Sequence, residues 1–315
     1  MRSARSFHCE AQADMGRSYK KIIYVLMPFL AYYVVHDVTR LLMMFGLQLI
    51  SSKSSVAYAY IRAHDAMISG VISLIDMLVG AFVLLLLMKH DEEELSIWDY
   101  VNLNGIGFYR TDRIHSAAFS WILILVQAVS MALGLNILIR LSGLMNISSY
   151  DATSGAQYSI PLWFGLFLYG LVSPAVEELL FRTVFYSRMK RRFHPAIAVI
   201  VSSMFFGLYH GNLVQGIYGF AMGLLMCIAC EYVHSVTGAF LMHSAANLTI
   251  YLAGLKGLLL ELNSPKFCII FLGIGCVTIL AEVIYSLQSL RRFGPREGIE
   301  AVGCFYVDPT LFEEE

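Results

Sequence analysis

The chain has 315 residues, of which 58% are hydrophobic and only 14% charged, with a net charge of −1 and a mean hydropathy of +0.66. Soluble domains carry about 25% charged residues, so this composition excludes an ordinary soluble globule and points to an all-α polytopic membrane bundle. Near-zero net charge also removes the electrostatic basis for nucleic-acid binding.

Hydropathy predicts eight apolar segments in chain order: Ile22–Ile50, Ala66–Met88, Ser116–Ile139, Leu162–Ser187, Ala196–His210, Leu213–Tyr232, Val236–Leu255 and Phe267–Leu290. A membrane crossing needs about 20 apolar residues, so the chain has room for this set plus loops. Residues 1–21 form a polar, cytosolic N-terminal segment without a cleavable signal pattern, so the first helix is expected to be retained as the insertion signal. His36, Asp37 and Arg40 interrupt the first span, which is expected to kink or lie partly at the interface. Ala196–His210 is short and leads into the next span through a tight turn expected at Gly211-Asn212. No linker separates the spans, so one bundle is expected: N-terminal helices with a cytosolic loop over 22–161, a core over 162–255 and a last helix with a tail over 256–315.

Lysine and arginine set the orientation. Arg17, Lys20 and Lys21 precede span one; Lys89, Arg110 and Arg113 follow span two; Arg188, Lys190, Arg191 and Arg192 follow span four; Arg291, Arg292 and Arg296 follow span eight. The other side keeps only Lys53, Arg62, Arg140, Lys256 and Lys266. Both termini are therefore expected in the cytosol, in a multi-pass protein of the cell membrane. The acidic stretch within Asp91–Arg113 and the tail Glu313–Glu315 read as solvated charge. Asn146-Ile-Ser148 and Asn247-Leu-Thr249 match glycosylation acceptors, the first by chance and the second inside a span. Six cysteines show no framework spacing, and Cys227-x-x-Cys230 reads as packing on a membrane helix.

Charge inside a membrane helix costs about 2.5 to 3.5 kcal/mol per group on insertion scales, so Glu177, Glu178 and Arg182 in the fourth segment mark a functional site. Phe206-x-x-x-His210 and His243-x-x-x-Asn247 lie in two further segments. At about 1.5 Å rise per residue, Glu177 lies roughly 20 Å from Lys190–Arg192, and His210 roughly 21 Å from Ala196. His243 and Asn247 fall roughly 14 and 20 Å from His234, which puts all three motifs in one slab near the midplane. Glu178 and Arg182 are four apart and share a face, whereas Glu177 is turned about 100° from Glu178. Glu178 is thus expected to pair with Arg182, leaving Glu177 to face a cavity that Pro174 opens by kinking the helix. A carboxylate and an imidazole sharing a water can activate it, and His243 with the Asn247 amide can hold the oxyanion. Glu177, His210 and His243 also suit zinc or another divalent ion, although no HExxH is present. Asp37, Asp76, Glu231 and Glu282 are unassigned, the last two being near span ends where they can snorkel.

The order EExxxR, FxxxH and HxxxN on separate membrane helices resembles the CPBP (Abi/CAAX-protease) family of intramembrane proteases, over roughly Leu162–Tyr251. The resemblance implies a hydrolase in which Glu177 and His210 activate water, His243 and Asn247 form the oxyanion pocket, and Glu178, Arg182 and Phe206 support the site. It implies a membrane-associated peptide or protein as substrate and leaves a divalent metal as an option. The compact form suggests a bacterial member, and prenyl-CAAX processing is not carried over. A proton-coupled transporter is the rival reading, since midplane acids and histidines also form proton relays. A non-catalytic immunity or scaffold protein is the third.

Overall fold

The computed structural model describes residues 2–89, 117–146, 155, 157–233 and 235–293. The expected loop Asp91–Arg113, Ser148 of the first acceptor site, His234, Arg296, Cys304 and the tail Glu313–Glu315 lie outside the described residues. The described residues form ten helices and no strand: α1 Arg2–Lys53, α2 Ser55–Ala63, α3 Asp65–Lys89, α4 Ala117–Leu141, α5 Leu162–Arg192, α6 Pro195–Tyr209, α7 Leu213–Val233, α8 Val236–Leu255, α9 Leu258–Glu261 and α10 Pro265–Phe293. With no water to satisfy backbone groups in hydrocarbon, a closed helical solution is what this composition requires.

Among the described residues, six helices are long and apolar enough to cross a membrane: those of α1, α3, α4, α5, α7 and α10. Each of the eight predicted segments is helical, but two fall outside that set. At 15 residues α6 is about 22 Å long, short of a hydrocarbon core of about 30 Å. The interior of α8 carries His243, Ser244, Asn247 and Thr249. Both pack inside the bundle, α6 along α7 and α8 between α4 and α7, while α10 runs along α4.

Three features differ from the sequence expectation, each because charge finds a partner. First, α1 is continuous from Arg2 to Lys53 through His36, Asp37 and Arg40. His36 Nδ1 lies 2.9 Å from Asp37 and its Nε2 3.3 Å from Asp76 on α3, with Arg40 Nη1 3.6 Å from the other Asp76 oxygen, so the helix has no need to break. Second, Glu231 does not snorkel; it is buried, accepts a hydrogen bond from the Tyr186 hydroxyl at 2.5 Å and lies 3.5 Å from Lys190 Nζ. Third, Glu282 is buried in the α4–α10 seam, where the Gln127 amide donates to it at 3.1 Å.

The α6–α7 hairpin turns where expected. Gly211 takes φ +70°, a left-handed value suited to glycine, and the Asn212 side chain accepts from the Gln215 N–H at 2.9 Å, capping α7. Glycines then let the two helices touch: a Cβ built on Gly207 would lie 2.5 Å from the Gly216 carbonyl oxygen. That neighbour is backbone and cannot step aside. Gly207→Ala is therefore expected to cost roughly 1 to 3 kcal/mol by overpacking. Gly46→Ala, with nothing within 4 Å, serves as the neutral control. Thermal unfolding in detergent checks the pair, and equal melting of the two variants would refute the close contact.

Candidate active site

Pro174 shapes the segment that carries the acids. Lacking an N–H and crowding the carbonyl four residues back, it disfavours regular α bonding in the turn before it. The helix is π-type over Leu168–Val172, returns to α over Ser173–Glu178 and is π-type again over Leu179–Tyr186. Both glutamates and Pro174 sit on the short α stretch between the two widened turns, an irregularity common at functional sites.

Glu178 and Arg182 form the centre. Arg182 is fully buried; its Nη1 donates to Glu178 Oε1 at 3.0 Å and its Nη2 to the Gly223 carbonyl of α7 at 3.2 Å. The guanidinium carbon stands 4.4 Å over the Phe206 ring of α6, a cation–π contact in a desolvated setting. From α8, His243 Nδ1 reaches the same Glu178 oxygen at 2.7 Å. Four helices thus meet at this ion pair.

Glu177 points elsewhere. Its Oε1 accepts from the Ser173 hydroxyl at 2.5 Å, one turn back, while Oε2 is buried without a hydrogen-bond partner. His243 Nε2 lies 3.8 Å from that free oxygen, so one imidazole bridges the two acids. His210, the C-cap of α6, is held differently. Its Nδ1 is 2.9 Å from the Phe206 carbonyl; a carbonyl only accepts, so the proton is assigned to Nδ1 and Nε2 keeps its lone pair. No direct ion pair joins His210 to Glu177 among the described residues. Instead Phe206 stands edge-to-face with both imidazoles, at 5.1 Å from His210 and 5.5 Å from His243. Asn247, one turn beyond His243, donates to the Tyr169 carbonyl of α5 at 3.1 Å, which leaves a second amide N–H.

The structure therefore gathers Glu177, Glu178, Arg182, Phe206 and His243 into one contact set, with His210 one ring away and Asn247 on the adjacent turn. Among the described residues, no three His, Cys, Asp or Glu side chains converge closely enough to hold a metal ion. Glu177, His210 and His243 are thus not gathered as a three-ligand set in this arrangement. Sequence reasoning missed Ser173, although its four-residue spacing from Glu177 was visible. It also missed Gly223, whose carbonyl carries no sequence signal.

Buried carboxylates and imidazoles thus meet between the apolar helices of a polytopic helical bundle. Residues 159–249 match the family described as "Type II CAAX prenyl endopeptidase Rce1-like". The matched stretch holds all three motifs, so this part of the chain is similar to the CAAX-protease (CPBP/Abi) family of endopeptidases. No curated protein and no solved structure matches the chain.

Removing one member of a buried ion pair strands the other. Arg182→Met is expected to destabilise the fold by roughly 3 to 5 kcal/mol, and adding Glu178→Gln should recover part of that loss. The exposed Arg62→Met is the comparison. Melting curves in detergent decide it; a drop for Arg182→Met no larger than for Arg62→Met would show that the pair does not hold the site.

Proposed function

We propose that the protein hydrolyses a peptide bond in a membrane-associated peptide or protein, with Glu177 as general base. One observation carries this: the buried, unpartnered Glu177 Oε2 facing His243 Nε2 across 3.8 Å, a spacing at which one water can touch both atoms. Glu178 and Arg182 are tied to each other, which supports a structural part for them.

In this reading water attacks the scissile carbonyl carbon as Glu177 takes its proton, and the lone pair on His210 Nε2 accepts the second water hydrogen and aims it. With Nδ1 committed to Glu178, the working atom of His243 is Nε2. When that nitrogen also carries a proton, Glu177, Glu178, Arg182 and His243 sum to zero charge. Its N–H then donates to the oxyanion together with the spare N–H of Asn247. The C–N bond breaks, and Glu177 returns its proton to the leaving amine. Both termini face the cytosol, supported by the lysine and arginine asymmetry. Prenylated CAAX-type peptides, brought in by the family's name, are the first substrates to test.

Glu177→Gln and His210→Ala are each expected to abolish nearly all cleavage while the peptide still binds. Their combination should cost little more than either alone, because groups acting as a unit are non-additive. Asn247→Ala should retain activity lowered about a hundredfold to a thousandfold, the effect of losing one oxyanion donor. Mass spectrometry of the peptide products measures all four. Full cleavage by Glu177→Gln would end this reading, and pH-driven uptake without product would favour a transporter.

Reporter fusions after Arg192 and after Lys256 should report cytosol and exterior respectively. The reverse at both positions would invert the proposed topology.

A further inference from the structure

Outside the matched segment, α1 and α3 carry a second buried polar set that the reaction above does not use. Asp76 is wholly buried on α3, between His36 Nε2 at 3.3 Å and Arg40 Nη1 at 3.6 Å. The His36 ring stacks on that of Tyr32 with centroids 5.6 Å apart and planes 24° from parallel. Tyr32 is also wholly buried, and α3 has a slot for it: a Cβ on Gly80 would come within 2.7 Å of the Tyr32 ring. The Tyr32 hydroxyl lies 3.3 Å from the hydroxyl of Tyr209, the last residue of α6. The Tyr209 ring packs edge-on against Phe181 of α5 and against His210.

An ion pair alone would join α1 to α3. It would not require a tyrosine fitted into a glycine slot and ending on another hydroxyl. That hydroxyl pair joins the end of α6 to α1, the helix that carries His36 and Arg40 of the second charged set. The turn it touches, His210-Gly211-Asn212, is held from within by His210 N–H to Gly207 O at 3.2 Å, Gly211 N–H to Leu208 O at 3.1 Å, the His210 Nδ1 bond to the Phe206 carbonyl and the Asn212 cap. All of those bonds come from α6 and α7 themselves, and the Tyr32–Tyr209 pair adds a contact from another helix beside His210.

We propose that Tyr32 is a positioning residue for the active site: seated by Gly80, His36 and Asp76, it fixes through Tyr209 the turn that presents His210. The inference rests on the reading of His210 given under Proposed function, and it makes α1 and α3 part of the catalytic machinery.

The test compares full-length wild type with Tyr32→Phe, which keeps the ring, and with Gly80→Ala, which displaces it. Hydrogen–deuterium exchange in detergent micelles needs no substrate. Tyr32→Phe is expected to speed exchange at 209–213 by roughly tenfold, the size of one buried hydrogen bond, with α10 unchanged. In parallel, cleavage of a farnesylated CAAX-type peptide by Tyr32→Phe should show kcat lowered about tenfold at an unchanged KM, the signature of a lost transition-state alignment. Gly80→Ala should reproduce both effects. Unchanged exchange at 209–213, or a rise spread over the whole chain, would overturn the proposal, as would faster local exchange with unaltered kcat. Should wild type leave this peptide intact, the substrate assignment fails and the exchange arm still decides the role of Tyr32.

Discussion

The ion pair between Glu178 and Arg182 is the constraint on which the rest of the bundle depends. Two charges withdrawn from water into an apolar interior gain little from each other unless every remaining polar atom near them finds a partner. Here the guanidinium reaches the Gly223 carbonyl and the Phe206 ring, and the carboxylate takes His243 as well, while Arg182 Nε and Glu178 Oε2 stay without a hydrogen-bond partner. Those needs pull α6, α7 and α8 onto α5. Hydrophobicity supplies little preference among helix partners inside a bilayer, because lipid tails are as apolar as leucine. A buried charge centre supplies the specificity instead, since other packings would strand it.

Assembly around that centre requires close helix approach, which the glycines provide. Gly207 faces Gly216 backbone to backbone, and Gly219 passes close to the His210 ring. With larger residues there, α6 and α7 would separate, and α6 would carry Phe206 and His210 away from α7. The π turns contribute at the other side: by widening α5 on both flanks of Ser173–Glu178, they interrupt the regular helix where both acids sit. The geometry of the candidate site and helix packing are thus one problem in this molecule, solved by small residues and irregular turns beside large buried charges.

Charge is also distributed by layer. The Lys190–Glu231–Tyr186 cluster lies at the end of α5, the Glu177–Glu178–His243 cluster further along the helix, and His36–Asp76–Arg40 on the two N-terminal helices. Each pairs helices distant in sequence. Glu282 with Gln127 does the same for α4 and α10, away from any of the motifs. Polar residues in the spans are therefore interhelical joints in several places, and the motif residues differ in setting two adjacent carboxylates against one imidazole.

Much of this was legible in one dimension. Composition required a helical membrane protein, hydropathy located each helix of the core, and charge in apolar stretches marked Glu177, Glu178, Arg182, His210 and His243. The four-residue spacing of Glu178 and Arg182 specified their pairing, because one helical turn brings those positions together. The turn at Gly211-Asn212 was equally local. What the chain order could not convey was any contact across helices. Nothing in the sequence says that His243 would lodge between two carboxylates, that α1 would run unbroken past His36 and Arg40, or that Glu231 and Glu282 would be buried. Those outcomes depend on which charged group on another helix is near enough to compensate, and that is decided only when the helices pack.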